Sequence, residues 1–292
     1  MAMTPSAGGE TPPAQVPDPL PAAKQKKGTR KNPILEVFLP NRVVSKPVLQ
    51  IIAGIQVAIF IVIWSMSPFE VLPRPGEVFG AFHNLWFEKG LGDHLIRSAT
   101  LNIKALLWTT FISLGLSYLT VIPFFRPMAL LFSKGRFLSM VGFSAVLTIM
   151  LGGGEALKLP MLVFGMTVFF LTSMADVVAT VPREAFDHAR TLRMSEPRVV
   201  WEVVIRGTAD KAFEVMRQNA AIGWMMLTMV EGISRGSGGI GVLLLTQQKY
   251  FKLADVFAIQ IAILVLGIFQ DYIIGALRRL FFPYADLKLE RR

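Results

Sequence analysis

Apolar and polar positions in this chain fall into long blocks rather than short alternating runs. Val48–Met66 contains no charge. Further apolar blocks cover Ala105–Ile122, Phe137–Gly154, Leu159–Val178, Ala212–Val230 and Val256–Leu277. A helix needs about 20 apolar residues to cross the ~30 Å hydrocarbon layer of a bilayer. The pattern therefore predicts an all-α, polytopic membrane protein with about six transmembrane helices. The fifth block is the weakest, because Glu214 and Arg217 occupy its first turns and only Gln218–Val230 is free of charge.

Between the first two blocks lies Pro68–Ile103. Pro73 and Pro75 mark a turn. From Glu77 to Trp86 the polarity then alternates with helical period, placing Val78, Phe79, Phe82, Leu85 and Trp86 together. Such a face can lie flat in the membrane interface or pack against neighbouring helices.

Between the fourth and fifth blocks sits a charged island, VPREAFDHARTLRMSEPRVVWEVVIRG, from Val181 to Gly207. Pro182 and Glu184 suit a helix start, where a missing N–H is harmless and an anion meets the positive end of the dipole. Ala185, Ala189 and Leu192 fall on one face. Ser195 is placed to cap a second helix with Pro197 in its first turn. Val199, Val200, Val203 and Val204 form that helix's apolar stripe, and Arg198, Glu202 and Arg206 face elsewhere. Two short helices joined by a tight turn make a surface that a soluble partner can hold. The alternative is a solvated connection between two spans.

The chain has 292 residues, of which 53% are hydrophobic and 17% charged. Soluble domains carry about 25% charged residues, so composition supports the membrane reading. The formal net charge of +10 raises nucleic acid as a partner, but the distribution of Lys and Arg argues against it. With the N-terminus in the cytoplasm, about 22 of the 30 Lys and Arg fall inside and about 8 outside, the bias that cytoplasmic loops show. Both termini are then cytoplasmic. Residues 1–46 read as a disordered tail, with a basic juxtamembrane patch from Lys24 to Lys31 facing anionic lipid. Residues 47–283 form the membrane domain, with a cytoplasmic loop at about 181–211, and 284–292 form a short tail. There is no cysteine, which removes disulfides, thiolate zinc sites and thiol catalysis. His83, His94 and His188 make no metal-ligand pattern. No paired acids or nucleophile elbow suggests an enzyme.

Small polar residues in the second block (Thr109, Thr110, Ser113, Ser117, Thr120) suit close helix packing. Gln218 and Asn219 either line a path through the membrane or sit at its interface. Asp176 and Asp271, near the ends of their helices, are expected to pair with nearby Arg or Lys.

The island resembles the "EAA" cytoplasmic loop of permease subunits of ATP-binding cassette importers, nearest to the nitrate/sulfonate/taurine branch. Asp187-His188-Ala189-Arg190-Thr191-Leu192-Arg193-Met194-Ser195 aligns with the family's E-A-A-R-T-L-G-A-S. Leu72-Pro73-Arg74-Pro75-Gly76-Glu77-Val78 is similar to the family's segment after the first span. Glu231 with Gly238-Gly239-Ile240-Gly241 is similar to its segment after the fifth, and Arg278-Arg279-Leu280 to its basic ending. The resemblance covers about Pro47 to Pro283. The family glycine of the loop is Arg193 here, its first Glu is Asp187, and its terminal L-P is Ile205-Arg206. An L-residue in the left-handed region costs about 1–2 kcal/mol, so the turn at Arg193 is expected to be either rebuilt or strained.

The resemblance implies a type I importer permease in a bacterial inner membrane. It implies a second permease subunit, cassette ATPase subunits docked on the loops, and an extracytoplasmic solute-binding protein. Asp187, Ala189, Arg190, Leu192, Arg193 and Ser195 would couple to the ATPase. Gln218, Asn219 and Glu231 would stand near the translocation path of a small solute. No G-x-x-x-x-G-K-[ST] segment occurs, so ATP and Mg would be held by the partner and this chain would need no cofactor. A non-transporting scaffold and an ion-coupled secondary transporter are the competing classes.

Overall fold

The computed structural model describes residues 45–67, 69, 71–234, 236 and 238–283. The basic patch at Lys24–Lys31 and nearly all of the predicted tail at 1–46 lie outside the described residues. So does the C-terminal tail at 284–292. The chain divides into two units, Met1–Phe60 and Ile61–Arg292. In the first, the described residues belong to helix α1, Lys46–Ser65, which runs across the boundary and is apolar on every face, as a lipid-embedded helix must be.

The second unit is helical throughout its described residues. Helices α2 (Pro75–Phe87), α3 (Leu91–Leu119), α4 (Arg126–Lys134), α5 (Met140–Leu151) and α6 (Glu155–Ala179) come first. The island then contributes α7 (Arg183–Thr191) and α8 (Glu196–Val199), followed by a π-helical stretch, Val200–Arg206. Helices α9 (Gly207–Ile233), α10 (Ile240–Lys249) and α11 (Leu253–Phe281) complete it.

Four helices, α1, α3, α6 and α11, are long and apolar enough to cross a membrane. A fifth crossing is possible if Pro123–Phe137 and Met140–Leu151 act as one broken span, although they bend by 110°. This differs from the expected six. The third block forms a helix too short to cross alone: α5 has 12 residues, about 18 Å at 1.5 Å per residue, and its start is set by Ser139 in extended backbone. The fifth block forms a continuous 27-residue helix, but one too polar to meet the criterion alone. The reason is its position. Helix α9 packs against α6, α11, α10 and α3, so its buried Thr208, Asn219 and Glu231 face protein.

Helix α3 begins at Leu91, well before the expected Ala105, because Arg97, Asn102 and Lys104 lower hydropathy without interrupting a helix. Thr109 Oγ1 donates to the Val163 carbonyl and Ser113 Oγ to that of Thr167, each at 3.4 Å. Both pairs are 54 residues apart in sequence, so α3 and α6 run parallel at that offset. The small residues of α3 therefore do serve close packing: Thr109, Ser113 and Ser117 are fully buried. On α2, Val78, Ala81 and Leu85 are buried while Phe79 and Phe87 are exposed. One face packs on α3 and α11 and the other stays open.

Candidate functional site

The island builds its own fold. In α7, Ala189 turns inward at 5% exposure while Leu192 stands out at 58%. The helix ends in two reverse hydrogen bonds. Arg193 N–H donates to the Arg190 carbonyl at 2.8 Å, and Met194 N–H to that of Ala189 at 3.3 Å. That pair defines a Schellman ending, in which the first donor, the residue just past the helix, is normally glycine. Arg193 occupies that position with φ 54°. The turn is retained rather than rebuilt, and an L-residue bears the strain.

Replacing Arg193 with glycine should therefore stabilise the protein. The left-handed penalty of about 1–2 kcal/mol is offset by the roughly 0.5–1 kcal/mol of backbone entropy that glycine loses. The expected net gain is about 0.5 kcal/mol, read as a raised midpoint of thermal unfolding, with Arg193→Val shifting it the other way.

Arg190 holds the turn together. Its Nε donates to Glu196 Oε1 at 2.9 Å, and its Nη1 lies 3.5 Å from Asp187 Oδ1. The hydrogen bond and charge of Glu196 hold the Arg190 guanidinium above its usual range, and those of Arg190 hold the Glu196 carboxyl below its own. Asp187 and Arg190 are thus engaged within the island. Arg183, Arg193 and Arg198 are exposed and have no such partners among the described residues.

Ser195 sits at the N-cap of α8 in extended backbone, but its side chain makes no capping bond. Its carbonyl accepts the Val199 N–H at 2.9 Å. The expected second short helix is not separate. Val199 and Val204 are buried, and the chain runs from α8 through the π stretch into α9 without a break. A π stretch accommodates an extra residue within a helix and recurs at functional sites. Here it leaves Trp201 55% exposed. A groove of about 440 Å³ separates α7 from this continuous helix, lined among others by Ala185, Ala189, Leu192, Val203 and Lys211.

At the opposite end of α9, Glu231 is 2% exposed. Its Oε1 accepts from Ser98 Oγ at 2.6 Å and its Oε2 from the Gly241 N–H at 2.7 Å. Ser98 Oγ accepts in turn from the Ile240 N–H at 2.8 Å. His94 Nδ1 accepts the Gly239 N–H at 3.1 Å, and Lys158 Nζ donates to the Gly238 carbonyl at 2.7 Å. A carboxylate at the N-terminus of α10 meets the positive end of its dipole. The glycines make room for it: Gly239 has φ 122°, and a Cβ there would overlap the Glu231 carboxylate.

Beside this cluster is a cavity of about 270 Å³ lined by Arg97, Thr100, Lys104, Glu155, Lys158 and Glu231 among others. The offset of 54 between α3 and α6 sets Lys104 level with Lys158. Lys104 lies about 20 Å along α3 from Leu91, close to the middle of that helix. Lys158 stands in the first turn of α6 and Lys104 just before the apolar block, so this charged cavity opens at one end of the apolar layer, where a solute would enter it.

Of the expected path residues, Glu231 reaches this cavity. Asn219 is buried in α9 with neither amide atom hydrogen-bonded, and Gln218, one position earlier, is exposed. Asp271 pairs with Arg217 Nε at 3.2 Å, as expected. Asp176 forms no ion pair among the described residues; it lines a cavity with Arg126. Sequence reasoning missed His94, Ser98, Lys104 and Lys158. The available signal was the charge continuing in helical register upstream of Ala105. Among the described residues no group of side chains fits a metal ion. Comparison with protein-family models and with curated proteins finds no match.

Proposed function

We propose that the chain is the membrane subunit of an importer driven by a separate ATPase, in the manner of permeases of the ATP-binding cassette class. The observation that carries this reading is the island: a short helix closed by a Schellman turn, tied by Arg190 to a second helix that continues directly into α9. Force applied to α7 would pass through the turn braced by Arg190 into α8, and from there along continuous helix into α9 and to Glu231 at its other end. Leu192 and Trp201 would meet the ATPase, and Arg183, Arg193 and Arg198 would suit an acidic rim around its docking groove. The island then faces the cytoplasm in a bacterial inner membrane, as the Lys and Arg bias favours. Closure of the ATPase dimer would swing the helices against those of a second permease subunit.

The cavity at Lys104, Lys158 and Glu231 is the stretch of path this subunit would contribute. Its cations suit an anionic small solute delivered by an extracytoplasmic binding protein. Two of these charges, Lys158 and Glu231, are buried, which favours one competing reading, an ion-coupled secondary transporter. The two separate in proteoliposomes. The importer reading expects solute uptake that requires ATP and a co-purifying ATPase. Uptake driven by an ion gradient in the purified chain alone supports the transporter.

A further inference from the structure

A second charged cavity lies where α9 and α11 meet near the island, built from residues the proposed transport path does not use. It encloses about 280 Å³ and is lined by Arg217, Asp271, Tyr272, Gly275, Arg278 and Arg279. Arg217 pairs with Asp271 and with Glu214, each at 3.2 Å, and Arg278 Nη1 pairs with Glu214 Oε2 at 3.0 Å. With Arg279, the cavity sets three guanidinium groups against two carboxylates. Arg279 carries the surplus: it makes no ion pair among the described residues, and its guanidinium lies 6.0 Å from the centre of the Tyr272 ring. Arg278 Nε is closed off from solvent with no acceptor. Gly275 packs under Arg217, where an added Cβ would lie 3.8 Å from Nη1, in ordinary contact.

Depth and surroundings say what fits. Helix α11 has its midpoint at Gly267, and Arg279 lies about 18 Å beyond it. The hydrocarbon half-thickness is about 15 Å, so Arg279 stands at the level of lipid phosphates. On the same helix, towards the midpoint, Leu264, Val265, Ile268 and Phe269 are exposed and form an apolar track below the cations. A free oxyanion would use only the cations. A lipid uses both features, with its phosphate on the guanidinium groups and its acyl chains along the track.

We infer that this cavity binds the phosphodiester headgroup of an anionic phospholipid. Arg279 donates to the phosphate oxygens, and the Arg278 guanidinium beside it adds positive charge. A zwitterionic lipid presents the same phosphate, but its own cation would lie among the arginines. The inference does not depend on what the protein transports.

The test is lipid retention by the full chain, extracted from nanodiscs of phosphatidylcholine with or without phosphatidylglycerol and read by native mass spectrometry. Phosphatidylglycerol should be retained in preference to phosphatidylcholine. Arg279→Gln should weaken that retention about tenfold, the loss of one charge-assisted contact. Arg279→Lys should recover part of it, and Arg126→Gln, which removes an exposed charge elsewhere, should change nothing. Equal retention of both lipids would overturn the inference, as would unaltered retention in Arg279→Gln or an equal loss in Arg126→Gln. Displacement of the lipid by inorganic phosphate would reassign the cavity to a free oxyanion.

Discussion

Glu231→Ala should lower the unfolding free energy by about 3–5 kcal/mol, the cost of removing one member of a buried charged network. The substitution strips the acceptor from Ser98 Oγ and from the Gly241 N–H, both sealed from water. It also leaves Lys158, buried at 4% exposure, beside a cavity with one acid fewer. Glu231→Gln keeps the shape and one acceptor oxygen, so its loss should be well under half as large. Denaturant unfolding in detergent reads both. An alanine variant within about 0.5 kcal/mol of the parent would mean that Glu231 is solvated, and the account of α9 and α10 as a locked corner would fail.

Gly241→Ala should be nearly as damaging, for a steric reason. A Cβ at Gly241 would overlap the backbone carbonyl of Thr228 and come within 2.9 Å of its Cα and 3.0 Å of Glu231 Cβ. No side chain can swing away to relieve that overlap, so α9 and α10 must separate. Overpacking of this kind costs about 3 kcal/mol, and the Glu231 contact to Gly241 is lost with it. Gly115→Ala is the control, since nothing lies within 4 Å of the added Cβ; replacing a mid-helix glycine there should stabilise by up to about 1 kcal/mol. If the two alanine variants behave alike, the close approach of α9 to α10 is not present in solution.

How far the sequence could be read depended on the range of the interaction concerned. Blocks of apolar residues announced α1, α6 and α11 closely, because a helix in lipid needs an unbroken apolar run. Helix α3 was truncated at Ala105, because hydropathy penalises Arg97 and Lys104 whereas the backbone does not. The third block has the apolar content of a span, but extended backbone at Ser139 and positive φ at Gly152 confine its helix to 12 residues, and hydropathy registers neither. The turn at Arg193 was legible only in part: the sequence left open whether it would be rebuilt or strained, and the backbone takes the strained form with φ 54°. Ser195 was placed correctly at a helix start, but its hydroxyl makes no capping bond, so position was predictable and side-chain geometry was not. The Glu231 corner was the least legible. Ser98 and His94 lie 133 and 145 residues from their partners, and no local pattern joins them.

The central proposal is that the island would hand the motion of a partner ATPase to α9. Its most direct test is co-purification of the cassette ATPase with the full chain, comparing the parent, Leu192→Asp and Arg193→Gly. Leu192 is exposed and unneeded for the fold, so Leu192→Asp should fold normally yet lose at least tenfold in ATPase affinity, the cost of placing a charge in an apolar contact. Arg193→Gly keeps the turn and should retain the ATPase. An ATPase that binds the Leu192→Asp protein as tightly as the parent, or that binds none of the three, would contradict the account.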